Sequence, residues 1–439
     1  MQSNLNLILQ KKCYSALKFL LFSFIGIFMF FVNVTINKTS TIPLDHIVTF
    51  IRNNFPKAAA LYALIVLFLG AVIPFYKKTW NKDNITLVFS MLKVLGFVVG
   101  IMIYFNVGPK WLFEADMGPF LYNKLVIPVG IIVPIGSVFL SFLVGYGLLE
   151  FVGVIMRPIM RPIWKTPGRS AVDAIASFVG SYSIALLITN KVFKEGKYTI
   201  KEAAIIATGF STVSTTFMVI VAKTLGLMDY WGKFFWITLV VTFLVTAVTA
   251  RIYPLKNKDD KYVNGCGDPE PEYKKELFKN AWQEAIKAAE NAPGIFENIC
   301  VNLKDGLKMA LNILPTILSV GLIGLVLAKY TQVFDVLGYI FYPFTYILKI
   351  PEPLLAAKAC SVEIAEMFLP ALLAAKAQLI TRFIIGVVSI SAILFFSASI
   401  PCILSTEIPL TIFEILVIWF ERTVLTLIFT TPIAYIIFK

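Results

Sequence analysis

Long apolar runs separated by short polar stretches organise this chain from end to end. Runs over 16–36, 57–76, 85–107, 122–150, 231–253 and 306–330 each reach the ~20 residues needed to cross a hydrocarbon core of roughly 30 Å. None keeps the alternation of a barrel strand, so the pattern predicts membrane helices. Two other apolar stretches carry a polar knot: Gly180-Ser181-Tyr182-Ser183-Ile184-Ala185 and Cys360-Ser361-Val362-Glu363-Ile364-Ala365 share the pattern Ser-x-polar-Ile-Ala. Each knot follows an apolar span and a proline-marked amphipathic segment, and Pro162 and Pro343 fall at nearly the same offset from the two knots. The chain therefore reads as a duplicated membrane unit, and repeat interfaces with broken helices are where transporters place their sites.

Charge sets the expected threading, because Lys and Arg concentrate on the cytoplasmic side. Lys11, Lys12 and Lys18 precede a long first run with no small-residue cleavage site, which predicts a retained first helix with its N-terminus inside. Lys77, Lys78 and Lys82 mark the inside after the second span, and Arg157, Arg161, Lys165 and Arg169 after the fourth. If 171–190 crossed, Lys191, Lys194, Lys197 and Lys201 would lie outside. A re-entrant hairpin removes that conflict, and irregular backbone is tolerated where protein or a wet cavity surrounds it. Crossings are expected over 203–225 and 231–253, then a cytoplasmic stretch over 256–305 with a solvated or surface helix near 273–290. The second unit would start outward at 306–330, dip in from outside at 354–373, and cross at 379–404 and 409–438. Its amphipathic segment, 332–350, holds Lys349 as its only basic residue. This contrast predicts an inverted repeat. The expected fold is all-α and polytopic, with roughly nine full spans and two re-entrant hairpins. Its regions are 1–120 with three spans, 121–255 as first repeat, 256–305 as loop and 306–439 as second repeat.

Composition fits this picture: 58% of the 439 residues are hydrophobic and 15% charged, too few charges for a soluble chain of this length. The net charge of +13 sits in connecting segments, so it argues for membrane orientation and against nucleic-acid binding. Cys13, Cys266, Cys300, Cys360 and Cys402 are scattered and form no disulfide framework or metal-type pair.

Ionisable groups at membrane depth are costly and therefore candidates for function. Glu363 and Glu366 stand one helical turn apart and could face one cavity, accepting hydrogen bonds, ligating a cation or carrying a proton. The alternative is a pairing with Lys358 or Lys376. Glu421 and Arg422 fall near the middle of the last span, with Glu414 two turns earlier. They are candidates for ion coupling or for a structural pair with another helix. Asp173 fits a helix start or a partner for Arg169. The clusters Phe210-Ser211-Thr212-Val213-Ser214-Thr215-Thr216 and Phe396-Ser397-Ala398-Ser399-Ile400-Pro401 sit within expected crossing helices. There Ser and Thr either pack helices or offer polar groups to a solute. Pro401 would rob the Ser397 carbonyl of its helical partner. The single histidine, His46, has no nucleophile or acid at a recognisable spacing, and no phosphate loop, dinucleotide fingerprint or zinc-protease helix occurs. An enzyme is not expected, and neither is a cofactor.

The knots at 180–185 and 360–365, with the clusters at 210–214 and 396–401, resemble the Gate (nucleoside-recognition) domain. That domain is found in concentrative nucleoside transporters, in the membrane part of ferrous-iron transporters and in spore maturation membrane proteins. The whole chain is most similar to the YjiH family of bacterial inner-membrane Gate proteins. The resemblance implies a secondary transporter of a small polar solute, with nucleoside-like solutes in view, coupled to H+ or Na+. It also implies the bacterial cytoplasmic membrane as the location, with a homo-oligomer as an open possibility. Glu363 would lead the solute site, with Ser181, Ser183, Ser361, Glu366, Ser211 and Ser397 as neighbours. Nucleoside transporters carry a Gly-Gln-Thr-Glu-type knot in the first hairpin, whereas this chain has Gly180-Ser181-Tyr182-Ser183, which leaves the solute open. Two alternatives stand beside this reading. One is a divalent metal permease using Cys360, Cys402, Met367, Glu363 and Glu366, a mixed soft and hard ligand set. The other is a non-transporting assembly or signalling protein of the spore-maturation kind.

Overall fold

The computed structural model describes residues 2–32, 34–36, 39–81, 84–179, 182–263, 265, 267–273 and 275–438, without the side chains of 2–12, 31, 39–40, 84–85, 179 and 216. Cys266 and Ser181 therefore lie outside the described residues. The N-terminal region comprises α1 (Gln2–Phe31), α2 (Pro43–Asn54), α3 (Pro56–Tyr76) and α4 (Asn84–Phe105). Between α1 and α2, β1 (Val34–Ile36) pairs antiparallel with β2 (Thr39–Thr41). Pro43 starts α2 without losing a useful N–H, and Leu44 and Val48 bury one side of it.

The two halves then repeat one order of elements. The first runs α5 (Gly118–Phe120), a π-helical turn (Leu121–Val126), α6 (Ile127–Val144), the amphipathic α7 (Leu148–Trp164), α8 (Ala171–Val179), α9 (Tyr182–Lys194), α10 (Ile200–Gly209), α11 (Thr215–Thr224) and α12 (Trp231–Thr249). After α13 (Leu277–Asn291), the second runs α14 (Ile295–Tyr330), α15 (Val333–Ile347), α16 (Pro353–Val362), α17 (Leu369–Ala374), α18 (Leu379–Ser391), α19 (Ser399–Leu404) and α20 (Ile412–Ile437). Each half is thus a long helix, an amphipathic helix, a pair of short helices, a broken helix and a closing helix. Six described helices are long and apolar enough to cross a membrane, within Cys13–Phe30, Pro56–Tyr76, Thr86–Phe105, Gly118–Val144, Met228–Thr249 and Ile295–Tyr330. The nine residues of α8 rise only ~13 Å and the ten of α16 ~15 Å. Neither can cross, as hairpin arms require.

Corresponding helices run antiparallel. Along α6 and α14, Ser137 lies against Gly306, Gly130 against Leu314 and Leu121 against Gly321. Along α12 and α20, Thr246 meets Arg422 and Tyr230 meets Phe438. The ends of α14 and α20 fix the two faces of the molecule. On the loop face, Lys194 pairs with Asp305 and Glu407 and Lys258 with Glu414. On the opposite face, Lys329 pairs with Glu114 and Asp116, and Tyr435 donates to the Lys349 carbonyl beside hairpin two. The hydrogen bonds from Lys329 and Tyr330 hold the half-buried Glu114 below the usual carboxylate range. Residues 305 and 329 are separated by ~36 Å of helix, and 414 and 435 by ~32 Å, so hairpin one rises from the loop face and hairpin two from the other. In a background lacking the cysteines at 13, 266 and 300, Lys194→Cys and Lys376→Cys are therefore expected to react with an impermeant maleimide from opposite sides of sealed vesicles. Labelling of both from one side would overturn the inversion.

Two expectations need correction. The crossings expected over 203–225 and 379–404 are each interrupted, at 210–214 and 392–398. Pro401 does not break a helix, because it lies in the first turn of α19, where its missing N–H costs nothing. The helix expected as a solvated or surface helix is docked by one face: Ala281, Ala285 and Ala289 of α13 are fully buried and Trp282 meets Phe19 edge-on at 5.5 Å. Alanines at every fourth position give α13 a flat face on which α1 and α7 close.

Candidate functional site

Each hairpin tip is held by the break of the helix that follows it. In the first half, Ser177 Oγ of α8 donates to the Thr212 carbonyl at 2.6 Å and Thr215 Oγ1 donates to the Phe178 carbonyl at 3.0 Å. In the second, the Phe396 N–H donates to the Ile364 carbonyl at 2.6 Å and the Ser397 N–H to the Ala365 carbonyl at 2.9 Å. These bonds satisfy backbone groups that a broken helix would leave exposed at membrane depth, where an unmet group costs several kcal/mol. Ile393 begins the second break at φ +67°, a left-handed conformation that a β-branched residue rarely adopts and that clusters at functional sites.

The closing helices cap the broken ones. Thr246 Oγ1 of α12 donates to the Gly209 carbonyl at the end of α10. Arg422 of α20 donates twice to the Ser391 carbonyl at the end of α18, at 3.0 and 2.7 Å, and once to Thr246 Oγ1 at 3.0 Å. Thr426 Oγ1 donates to Ser391 Oγ at 2.9 Å. One fully buried guanidinium thus ties both closing helices to the second break. The halves also meet through Tyr182 against Phe395 and Phe217 against Phe368.

Within this frame the knot glutamates differ. α16 stops at Val362, so Glu363 and Glu366 do not share a helical face as expected. Glu363 is fully buried, one of its oxygens accepts from Trp419 Nε1, and the other has no hydrogen-bond partner among the described residues. Its electrostatic neighbours include Cys360, Glu366 and Arg422. Glu366 folds back to accept from the Phe368 N–H at 2.6 Å. Neither pairs with Lys358, which goes to Asp335. Ser211, Thr212 and Ser397 in the two breaks are buried, their hydroxyls without a partner among the described residues. Ser183 is buried in the first turn of α9. Ser361 turns away from the breaks, its hydroxyl within 2.7 Å of the Phe334 carbonyl of α15 and 2.8 Å of the Lys358 carbonyl.

The other candidates separate from this centre. Glu414 closes a capping box with Thr411 at the start of α20 and binds Lys258, so it is a loop-face anchor and does not act with Glu421. Glu421 lies half-buried at mid-helix with one oxygen unpartnered among the described residues. Asp173 accepts from Thr189 at 2.6 Å and Tyr198 at 2.7 Å, which locks the two arms of hairpin one. Arg169 is not its partner. No group of three or more His, Cys, Asp or Glu suited to a metal occurs among the described residues. The alternative ligand set Cys360, Cys402 and Glu363 is therefore not assembled, since Cys402 neighbours Tyr182 while Glu363 turns to Trp419.

A polar cavity of about 160 Å³ opens on the loop face at the far end of α9, lined in part by Ser137, Asn190, Asn302, Asn312 and Ser405. Asn190 Oδ1 accepts from the Glu407 N–H at 3.0 Å, so the cavity lies where hairpin one meets the end of α19.

The loop holds the base of hairpin one through Glu270, which sequence reasoning missed because its partners are a hundred residues away. The buried Glu270 carboxylate accepts from the Gly168 and Arg169 N–H groups at 2.8 and 3.0 Å and lies beside Arg157 and Arg169. Each charge-assisted bond is worth about 1.5–3 kcal/mol. Glu270→Ala is expected to release the loop, accelerating tryptic cleavage over 256–276 by roughly ten- to a hundredfold; an unchanged rate would show the anchor to be dispensable.

With this geometry in view, the family description "Gate: Nucleoside recognition" matches residues 126–228, which contain hairpin one and the first break. An uncharacterised protein of Alkalihalophilus pseudofirmus is 30% identical over 440 residues, covering 96% of this chain and 95% of that one. The chain belongs to that protein's family, as a multi-pass membrane protein with a Gate domain. Two solved structures of CNTnw variants, both in an outward-facing state, align over 96% and 95% of the chain at 14% and 12% identity, each with a TM-score of 0.49. The matched Gate segment ends just before α12, so the Thr246 cap on its first break comes from outside it.

Proposed function

We propose that this Gate-domain protein is a secondary transporter of a small polar solute of the nucleoside-like class. It would sit in the bacterial cytoplasmic membrane with its N-terminus and the 256–305 loop inside, and with 121–255 and 306–439 as its two Gate repeats. The observation that carries the proposal is the pair of helix breaks clasped to opposed hairpin tips. Among the described residues they leave one carboxyl oxygen of Glu363 and the hydroxyls of Ser211, Thr212 and Ser397 buried without partners. A buried polar group without a partner costs about 1–3 kcal/mol, and a polar solute bearing hydroxyl and amide groups would recover that cost. Glu363 would accept a solute donor, Ser397 and Ser211 would complete the contacts, and Glu421 is the leading group for coupling to H+ or Na+.

The test is counterflow in proteoliposomes. Vesicles loaded with unlabelled nucleosides are expected to accumulate labelled nucleoside transiently above protein-free vesicles, with a rate that depends on a Na+ or H+ gradient in net uptake. Absence of exchange across purine and pyrimidine nucleosides would overturn the substrate class. Absence of exchange for a wider panel of polar solutes would overturn transport itself.

A further inference from the structure

On the loop face a pocket of about 690 Å³ lies away from the hairpins, between the end of α7, the start of α10 and the segment after α12. Its cations are Arg161, Lys165, Lys201, Arg251 and Lys256. Against these five stand two acidic residues, Glu202 and Asp260, and Glu202 is committed to Arg161. The remaining cations are positioned without being neutralised. Arg251 donates to the carbonyls of Pro162, Ile163 and Ala247, and Lys201 donates to the Lys256 carbonyl at 2.7 Å. Lys165 and Lys256 have no side-chain partner among the described residues. Backbone carbonyls orient these charges but leave an excess of positive charge in one concavity, which favours an anion.

The level of the pocket in the membrane identifies the source of that anion. Arg251 follows directly on α12, a spanning helix, and α7 carries Ile159 and Ile163 exposed on its outer side, with Tyr253 also exposed. An amphipathic helix with outward apolar residues lies in the headgroup boundary, and basic pockets between helix ends at that depth suit lipid phosphates. We propose that this pocket binds the phosphate-bearing headgroup of an anionic membrane lipid.

Native mass spectrometry of the full-length protein, with phosphatidylglycerol or phosphatidylcholine added to the detergent, tests this. Phosphatidylglycerol adducts are expected on the unaltered protein and to fall at least about fivefold in Lys165→Gln/Lys256→Gln, whose side chains make no structural bonds. Lys287→Gln/Lys304→Gln removes the same charge from exposed positions elsewhere and is expected to retain the adducts. Phosphatidylcholine is expected to give few, and millimolar inorganic phosphate to displace none. Equal losses in both double variants, retention in the first, or equal binding of phosphatidylcholine would overturn the site. Displacement by inorganic phosphate would overturn the lipid as its source.

Discussion

Glu363→Gln is expected to lower nucleoside counterflow by roughly 10- to 100-fold while leaving the fold intact. The replacement keeps the shape of the side chain, and the amide carbonyl can still accept from Trp419 Nε1. What disappears is the second acceptor oxygen, which has no partner among the described residues, together with any negative charge. A hydrogen bond to a charged group contributes about 1.5–3 kcal/mol, and each 1.4 kcal/mol is a factor of ten. The matching change Glu366→Gln is expected to cost much less, because Glu366 already spends an oxygen on the Phe368 N–H and glutamine can make the same bond. The measurement is initial counterflow rate per reconstituted protein, with the thermal midpoint as a control on folding. Equal rates for Glu363→Gln and the unaltered protein would remove Glu363 from the site. Equal losses in both variants would mean that burial of charge, and not the free oxygen, is what transport requires.

The reason Glu363 was legible and its setting was not lies in sequence distance. The repeat itself is written locally: the shared knot pattern, the prolines and the uneven basic residues fixed two opposed hairpins, and α6 and α14 do run antiparallel. The first break falls on the polar cluster that starts at Phe210, inside a stretch expected to cross unbroken, and the second begins ahead of the cluster at 396–401, where the suspected agent was wrong. Pro401 starts a helix, whereas the chain leaves α18 at Ile393, in a backbone conformation that isoleucine's propensity argues against. Pairings across the chain could not be read. Arg169 neighbours Asp173 in sequence, but Glu270 takes it, leaving Asp173 to Thr189 and Tyr198. Trp419 is 56 residues from Glu363, and no local pattern announces an indole donor aimed at a carboxyl. Glu414 and Glu421 share a helix, yet one is spent on a cap and Lys258. Local spacing identifies which groups are expensive to bury; only the fold decides which of them already have partners.

Arg422 shows what that distinction predicts, and Arg422→Ala is expected to be among the most destabilising single changes in the chain. Its guanidinium is fully buried, and its donors end on the Ser391 carbonyl and Thr246 Oγ1. A carbonyl at a helix end inside the membrane has no water to turn to, so its loss of two charge-assisted bonds is uncompensated. Adding the cavity left by a large buried side chain, the cost is about 3–5 kcal/mol. At ~1 °C per kcal/mol for a chain of this length, the thermal midpoint in detergent is expected to fall by about 3–5 °C. Arg422→Lys keeps the charge but not the planar fork that reaches two helices, so it should recover only part of the loss. Thr246→Val removes the bond shared with Arg422 together with the cap on Gly209, and combining it with Arg422→Ala should cost less than the sum, because the two residues belong to one network. A coupling residue would behave differently: its removal would abolish the ion dependence of transport and leave the midpoint unchanged. Full stability in Arg422→Ala would therefore overturn the clamp and return Arg422 to the list of coupling groups beside Glu421, whereas a large loss assigns it to holding the second break in the geometry that positions the buried Ser397 and Glu363.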